Sequence, residues 1–162
     1  VAERFLKYLD DRDWERLMEG AARRRFEPEA VILAQGEAGH AIFMLERGSA
    51  RVERRHGEFY VEIARLGPGE VFGEMSFLEG YSASASVVAA EPCEVTVLEG
   101  QRVEALLEAD AGFAARFYRS LAEILSRRLR QTTVDGIAEF SWGGRVLDES
   151  AYAGAPKQVS WE

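Results

Sequence analysis

The residues of this chain that could do chemistry gather around Gly73-Glu74, which follows the apolar pair Val71-Phe72 and opens a short helix-like run, Met75-Ser-Phe-Leu-Glu79. A helix that starts after a glycine presents unpaired N–H groups and a partial positive charge, and glycine lets an anion approach closely. Ser84 and Ser86, a little downstream, could donate hydroxyls to such an anion or satisfy the backbone of a turn. This is the chemistry of binding, not of turnover. Glu70 and Glu74 form a nominal carboxylate pair, yet a strand residue and a helix-start residue four apart have no reason to converge. His40 and His56 are the only histidines and make no His-x-His pair of the kind that jelly-roll metal enzymes use. There is no Gly-x-Ser-x-Gly elbow, no P-loop and no dinucleotide fingerprint, so no enzyme, metal or cofactor is expected.

Positioning these residues falls to elements whose hydrophobic period changes twice. Residues 1–26 read as two short helices, one presenting Phe5, Leu6 and Leu9, the next Trp14, Leu17 and Met18, with Asp10 or Asp11 as a cap. The period then drops to two through Ala30–Ala34, Ala41–Leu45, Ser49–Glu53, Phe59–Ile63, Val87–Ala90 and Val95–Leu98. Glycine turns separate these runs, as expected for a sandwich or jelly-roll barrel. From Gln101 the helical period returns. Val103, Leu106 and Leu107 mark one helix, and Asp110 caps a longer one striped by Phe113, Phe117, Leu121, Ile124, Leu125 and Leu129. Beyond residue 135 no periodic pattern is evident, so 1–135 is expected to form one domain and 136–162 an extension.

With 162 residues, one domain is the prior. The 47% hydrophobic and 30% charged fractions are those of a globular protein, and no apolar run approaches a membrane span or a signal peptide. A single cysteine, Cys93, suits a reducing cytoplasm and reads as a buried apolar side chain. The formal net charge of −8 disfavours nucleic acid as a partner and makes any anion site depend on local charge.

The run Gly67–Val87 resembles the phosphate-binding cassette of cyclic nucleotide-binding domains, in which a strand end, a Gly-Glu and a short helix lead to Pro-Arg-Ser/Ala-Ala-Ser/Thr and the next strand. The run Gln35–Val52 resembles the same family's Gly-Glu-x-Gly-Asp-x-x-Phe-x-x-x-x-Gly hairpin, with His40 where aspartate is commoner. Together with the element order, the resemblance covers roughly residues 5–135. It implies a mainly β fold with flanking α: a small double-stranded β-helix (jelly-roll) barrel with N-terminal helices and a long C-terminal helix.

By that resemblance the ligand, cAMP or cGMP, would lie against Phe72, Gly73, Glu74, Met75, Ser76, Ala83, Ser84 and Ala85. Glu74 would hold the ribose 2′-hydroxyl, while the amides after Gly73 and the Ser84 hydroxyl would meet the cyclic phosphate. Thr132 and Thr133 resemble the polar pair that touches the base from the long helix in catabolite-activator-like proteins; as residues they also read as a fraying helix end. Trp142 could fold back as an aromatic lid.

Ser82-Ala83 stands where the family has Pro-Arg. A guanidinium there would add a bidentate, charge-assisted pair to the phosphate. Removing one partner of a buried charge pair costs about 2–5 kcal/mol, roughly a thirty-fold to several-thousand-fold loss of affinity. Arg65 is a candidate substitute cation, or a solvated edge residue. Two functions follow: a cytoplasmic cyclic nucleotide sensor, without its own DNA-binding output, that dimerises through the long helix; or a ligand-independent dimerisation or partner-binding module on the same fold.

Overall fold

The computed structural model describes residues 5–142, with side chains described to residue 132. Helix α1 spans Asp11–Met18 and begins in a capping box. The Asp10 carboxylate accepts from the Asp13 amide at 2.9 Å and the Asp13 carboxylate accepts from the Asp10 amide at 3.1 Å. Of the two aspartates expected to cap, Asp10 does so.

Residues 5–10 are not the helix their apolar spacing suggests. They form turns and bends whose Phe5, Leu6 and Leu9 are nonetheless buried. So short a run cannot repay helix nucleation on its own. The Tyr8 amide instead donates to the Ser120 hydroxyl at 3.0 Å.

Eight strands follow: β1 Ala22–Phe26, β2 Val31–Leu33, β3 Ile42–Arg47, β4 Ala50–His56, β5 Phe59–Leu66, β6 Val71–Phe72, β7 Ser86–Ala89 and β8 Cys93–Leu98. They form two four-stranded antiparallel sheets, ordered β1-β8-β3-β6 and β2-β7-β4-β5, without closing into a continuous barrel. The expected fold class holds. Strand β1 corrects the reading of residues 1–26 as wholly helical, since Ala22 pairs with Val97 and Phe26 with Cys93. Ile32, Phe43, Leu45, Ala50, Leu66, Phe72, Val87, Ala89, Cys93 and Val95 form the buried cluster of the β layer.

Between β6 and β7 lies helix α2, Glu74–Glu79, and after β8 come α3, Gly100–Ala109, and α4, Ala111–Trp142. The Asp110 carboxylate caps α4, accepting from the Phe113 amide at 3.0 Å. Helix α4 continues past Gly136, where the apolar pattern fades, because one glycine costs a long helix only about 1 kcal/mol. The chain divides into two compact units, one ending at Glu123 and one beginning at Ile124. In the first, Phe113, Phe117 and Leu121 are buried; in the second, Leu129 is 70% exposed.

Candidate functional site: the cassette between β6 and β7

Phe72 ends β6 and stacks on Phe43 of β3, with centroids 5.0 Å apart and planes 8° from parallel. The next residue, Gly73, adopts φ 79°, a left-handed conformation that turns the chain from strand into α2. Its missing side chain matters as much as its dihedral. A Cβ there would stand 2.7 Å from the Ala41 carbonyl oxygen and 2.9 Å from the Phe43 ring. The first helical residue, Glu74, is 3% exposed. An acidic side chain in the first turn complements the partial positive charge of the helix start.

The far side of the cassette is clamped by backbone hydrogen bonds. The Ala83 amide donates to the Glu37 carbonyl at 3.1 Å, and the Gly36 amide donates to the Ala83 carbonyl at 2.8 Å. The glycine-rich loop between β2 and β3 and the end of the cassette thus hold one another. Between that loop, β3 and the start of α2, a cavity of about 40 Å³ is lined by Leu33, Glu37, Gly39, Ala41, Phe43, Gly73 and Ser76. Sites that enclose a drug-sized ligand measure about 300–1,000 Å³. No lysine, arginine or histidine belongs to that lining.

The expected site residues divide between this cavity and its surroundings. Gly73 and Ser76 line it, Phe72 stacks on the lining residue Phe43, Glu74 is buried next to Gly73 in the chain, and Ala83 is buried and hydrogen-bonded to the lining residue Glu37. Met75 is 51% exposed and outside the lining. Ser84 is exposed and Ala85 half-buried. Ser86 is taken by structure, its hydroxyl accepting from the Gln35 amide at 2.8 Å.

Thr132 is exposed and its hydroxyl donates to the Arg128 carbonyl at 3.0 Å, a bond internal to α4. The side chains of Thr133 and Trp142 lie outside those described. Arg65, the proposed substitute cation, is exposed and bonded to Glu62 at 2.6 Å, which makes it the solvated edge residue. Glu70 accepts from the Gly67 amide at 2.6 Å; it caps a turn and pairs with no second carboxylate there.

Sequence reasoning missed the aromatic link between cassette and helix. Phe77 of α2 meets Phe117 of α4 edge to face, with centroids 6.1 Å apart, and Phe117 stacks in turn on Phe113 at 5.8 Å. The stripe on α4 was legible, but nothing in the sequence says which ring of α2 reaches it.

A left-handed glycine, a buried glutamate opening a short helix and a clamped return strand lie together where the chain passes from one antiparallel sheet to the other. The model for the cyclic nucleotide-binding domain matches residues 23–110, and the chain belongs to that family. It is 37% identical over 115 residues to the cyclic AMP receptor protein of Thermus thermophilus, covering 70% of this chain and 51% of that one. The crystal structure of the Thermus thermophilus catabolite activator protein superposes with a TM-score of 0.68 at 32% identity, covering 82% of this chain and 61% of that one. A cyclic nucleotide-binding domain from Methylobacillus flagellatus shares the fold, with a TM-score of 0.76 at 21% identity over 85% of this chain and 83% of that one. The chain thus spans about half the length of the curated Thermus relative. Among the described residues no helix is long and apolar enough to cross a membrane.

Proposed function

We propose that this chain is a regulatory sensor domain that takes a cyclic nucleotide, cAMP or cGMP, in the cassette between β6 and β7, with lower affinity than an arginine-bearing cassette. The observation that carries this reading is Gly73: left-handed, with no room for a Cβ, and followed at once by the buried Glu74. The glutamate serves the ribose hydroxyls, and the backbone after Gly73 serves the phosphate. Ala83 leaves the phosphate without its guanidinium, at a cost of about 2–5 kcal/mol.

Occupation of the cassette is read out by α4. Ligand draws α2 inward, Phe77 presses on Phe117, and the population of α4 positions shifts. Helix α4 then offers its apolar stripe to a second copy or a partner protein. The chain's net charge of −8 favours a protein over DNA as recipient of the signal.

A second reading rests on the cavity itself. About 40 Å³ of space, without a cation in its lining, describes a cassette that keeps the fold as a ligand-independent dimerisation or partner-binding module. Calorimetric titration of cAMP and cGMP into the native chain and into Ala83→Arg separates the two. Binding by the native chain, strengthened at least thirty-fold by the arginine, is the expected outcome of the first reading. Binding by the variant alone establishes the second, and binding by neither removes the cassette as a nucleotide site.

A further inference from the structure

The β1-β8-β3-β6 sheet carries a recess apart from the cassette. A groove of about 680 Å³ is lined by Arg23, Arg24 and Arg25 of β1, Glu46 and Arg47 of β3 and Glu94 of β8, with Thr96 in its floor. It shares no residue with the cassette cavity. Strand register fixes which side chains share this face. Arg23 pairs with Thr96 and Arg25 with Glu94, while Arg24 pairs with Val95 of the buried β-layer cluster. Arg23 and Arg25 therefore lie on the face that bears Thr96 and Glu94. Across β8, Met44 pairs with Thr96 and Arg47 with Glu94, with a register shift between Leu45 and Arg47. That bulge admits an extra residue, so that Glu46 and Arg47 both line the groove. Farther along the same face Ile42, Met44 and Leu98 are buried, and the arginine-bearing end is the part left open.

Four arginines meet two glutamates in this groove, a local excess of positive charge in a chain whose net charge is −8. The fully buried Thr96 donates its hydroxyl to Glu46 at 2.7 Å, which ties that carboxylate down. Glu94 is shared by Arg25 at 3.3 Å and Arg47 at 3.8 Å. Both arginines are exposed, and loose exposed pairs contribute little and yield to a competing anion. The guanidiniums of Arg23 and Arg24 have no ion pair or hydrogen bond among the described residues. Guarding a sheet edge accounts for charge on β1, the outer strand, but not for Arg47 on β3, which lies between β8 and β6.

We propose that this groove binds an oligophosphate, a chain of phosphoryl groups either free or borne by a nucleoside. Guanidinium forks match phosphoryl oxygens bidentately. Neighbouring strands lie about 4.8 Å apart, so β1 and β3 stand roughly 10 Å from one another across β8. An anion that reaches Arg23 and Arg25 on one wall and Arg47 on the other must carry charge at both ends, which a single phosphate does not. Docked proteins anchor on apolar or aromatic side chains at the centre of their interface. The one apolar side chain in this lining, Val95, is buried, so the groove offers a protein no such anchor. A long nucleic acid is repelled by the net charge of −8. A short anion inside the groove answers to the guanidiniums beside it, because exposed charges are screened beyond about 10 Å.

Calorimetric titration of inorganic tripolyphosphate into the full chain at one low salt concentration tests this, with orthophosphate and ATP in parallel. The native chain should bind tripolyphosphate saturably and about tenfold or more tighter than orthophosphate. ATP binding at least as tight assigns the nucleoside-borne form, and weaker ATP binding assigns the free chain. Arg47→Gln removes one wall, and Arg23→Gln with Arg25→Gln the other. Each should weaken tripolyphosphate binding by about tenfold or more. In amide NMR of the native chain, tripolyphosphate should shift Arg23, Arg25, Arg47 and Glu94 and leave Gly73 and Glu74 in place. No saturable binding at millimolar tripolyphosphate overturns the inference, as does undiminished affinity in both variants. Shifts confined to Gly73–Glu79 would seat the anion at the cassette and overturn it too, while leaving the cassette reading intact. Tighter binding of a hexaglutamate peptide than of tripolyphosphate would make an acidic protein segment the occupant and refute the oligophosphate. Should a variant misfold, the shifts in the native chain decide alone.

Discussion

Asp13 and Arg116 form a bidentate pair, with Nε and Nη2 of the guanidinium 2.6 and 2.8 Å from the two carboxylate oxygens, and this pair fastens α1 to the first half of α4. Asp13 is 1% exposed and holds half of the capping box as well. Its replacement by alanine therefore removes the bidentate charge-assisted bond to Arg116 and the half of the capping box that the Asp13 carboxylate supplies to the Asp10 amide. Asp13→Ala should destabilise the fold by about 1.5–3 kcal/mol, and Asp13→Asn by less. Urea unfolding monitored by circular dichroism checks both, and an Asp13→Ala midpoint equal to the native one would refute the assignment.

Acid should loosen the same clasp. The Phe113 amide, and then the Arg16 guanidinium, hold the Asp110 carboxyl down to about 2 from its ordinary 3.8. Arg116 holds Asp13 below its ordinary value, chiefly by direct hydrogen bonding. A depressed folded-state value means stabilisation that is complete above the unfolded value and lost as pH falls through the folded one. The helical layer should therefore keep its full stability above about pH 4 and lose it progressively toward about pH 2. Asp110→Asn removes one of these titrations and should flatten the acid limb of a stability-against-pH curve. An unaltered limb would mean that other carboxylates govern acid unfolding.

Cys93 should be chemically silent in the folded protein. It is 1% exposed, and burial pushes its thiol up, away from the reactive thiolate. Its sulfur also points at the carbonyls of Ser49 and Glu91, each 3.2 Å away. Labelling by a thiol-specific disulfide reagent at neutral pH should proceed only as fast as the domain opens, and should accelerate steeply in denaturant. Fast labelling of the native chain would contradict the placement of Cys93 in the β-layer core.

The outcome at particular residues shows where sequence is a sufficient guide and where it is not. Strands β3, β4, β5 and β8 announce themselves because one or both faces are apolar at period two. Strand β1 does not, since Ala22-Arg-Arg-Arg-Phe26 shows no alternation, and only its pairing with β8 makes it a strand. The turn at Phe5–Leu9 carries a helical apolar spacing because those side chains are buried, not because it is a helix. In the cassette, Gly73, Glu74 and the absent guanidinium at Ala83 were all legible, being local. The cavity of about 40 Å³ was not, because its volume depends on how closely Leu33 and Phe43, on two separate strands, approach Gly73 at a helix start.

Two left-handed glycines bracket α2, and comparing them separates backbone strain from close packing. Gly73 has φ 79° and Gly80 has φ 73°, so an alanine at either pays for a conformation that L-residues avoid, about 1–3 kcal/mol. Around Gly80 a Cβ would meet nothing within 4 Å, whereas at Gly73 it would press on the Ala41 carbonyl at 2.7 Å and the Phe43 ring at 2.9 Å. Gly80→Ala should thus lower stability by the strain alone and leave any nucleotide response intact. Gly73→Ala must also push α2 away from β3, so it should be the more destabilising of the two and should abolish nucleotide binding even in an Ala83→Arg background. Thermal unfolding of both variants, with calorimetry on the double variant, reads these effects together. Equal destabilisation by the two alanines, or full binding by Gly73→Ala with Ala83→Arg, would show that the close approach at Gly73 is not what shapes the site.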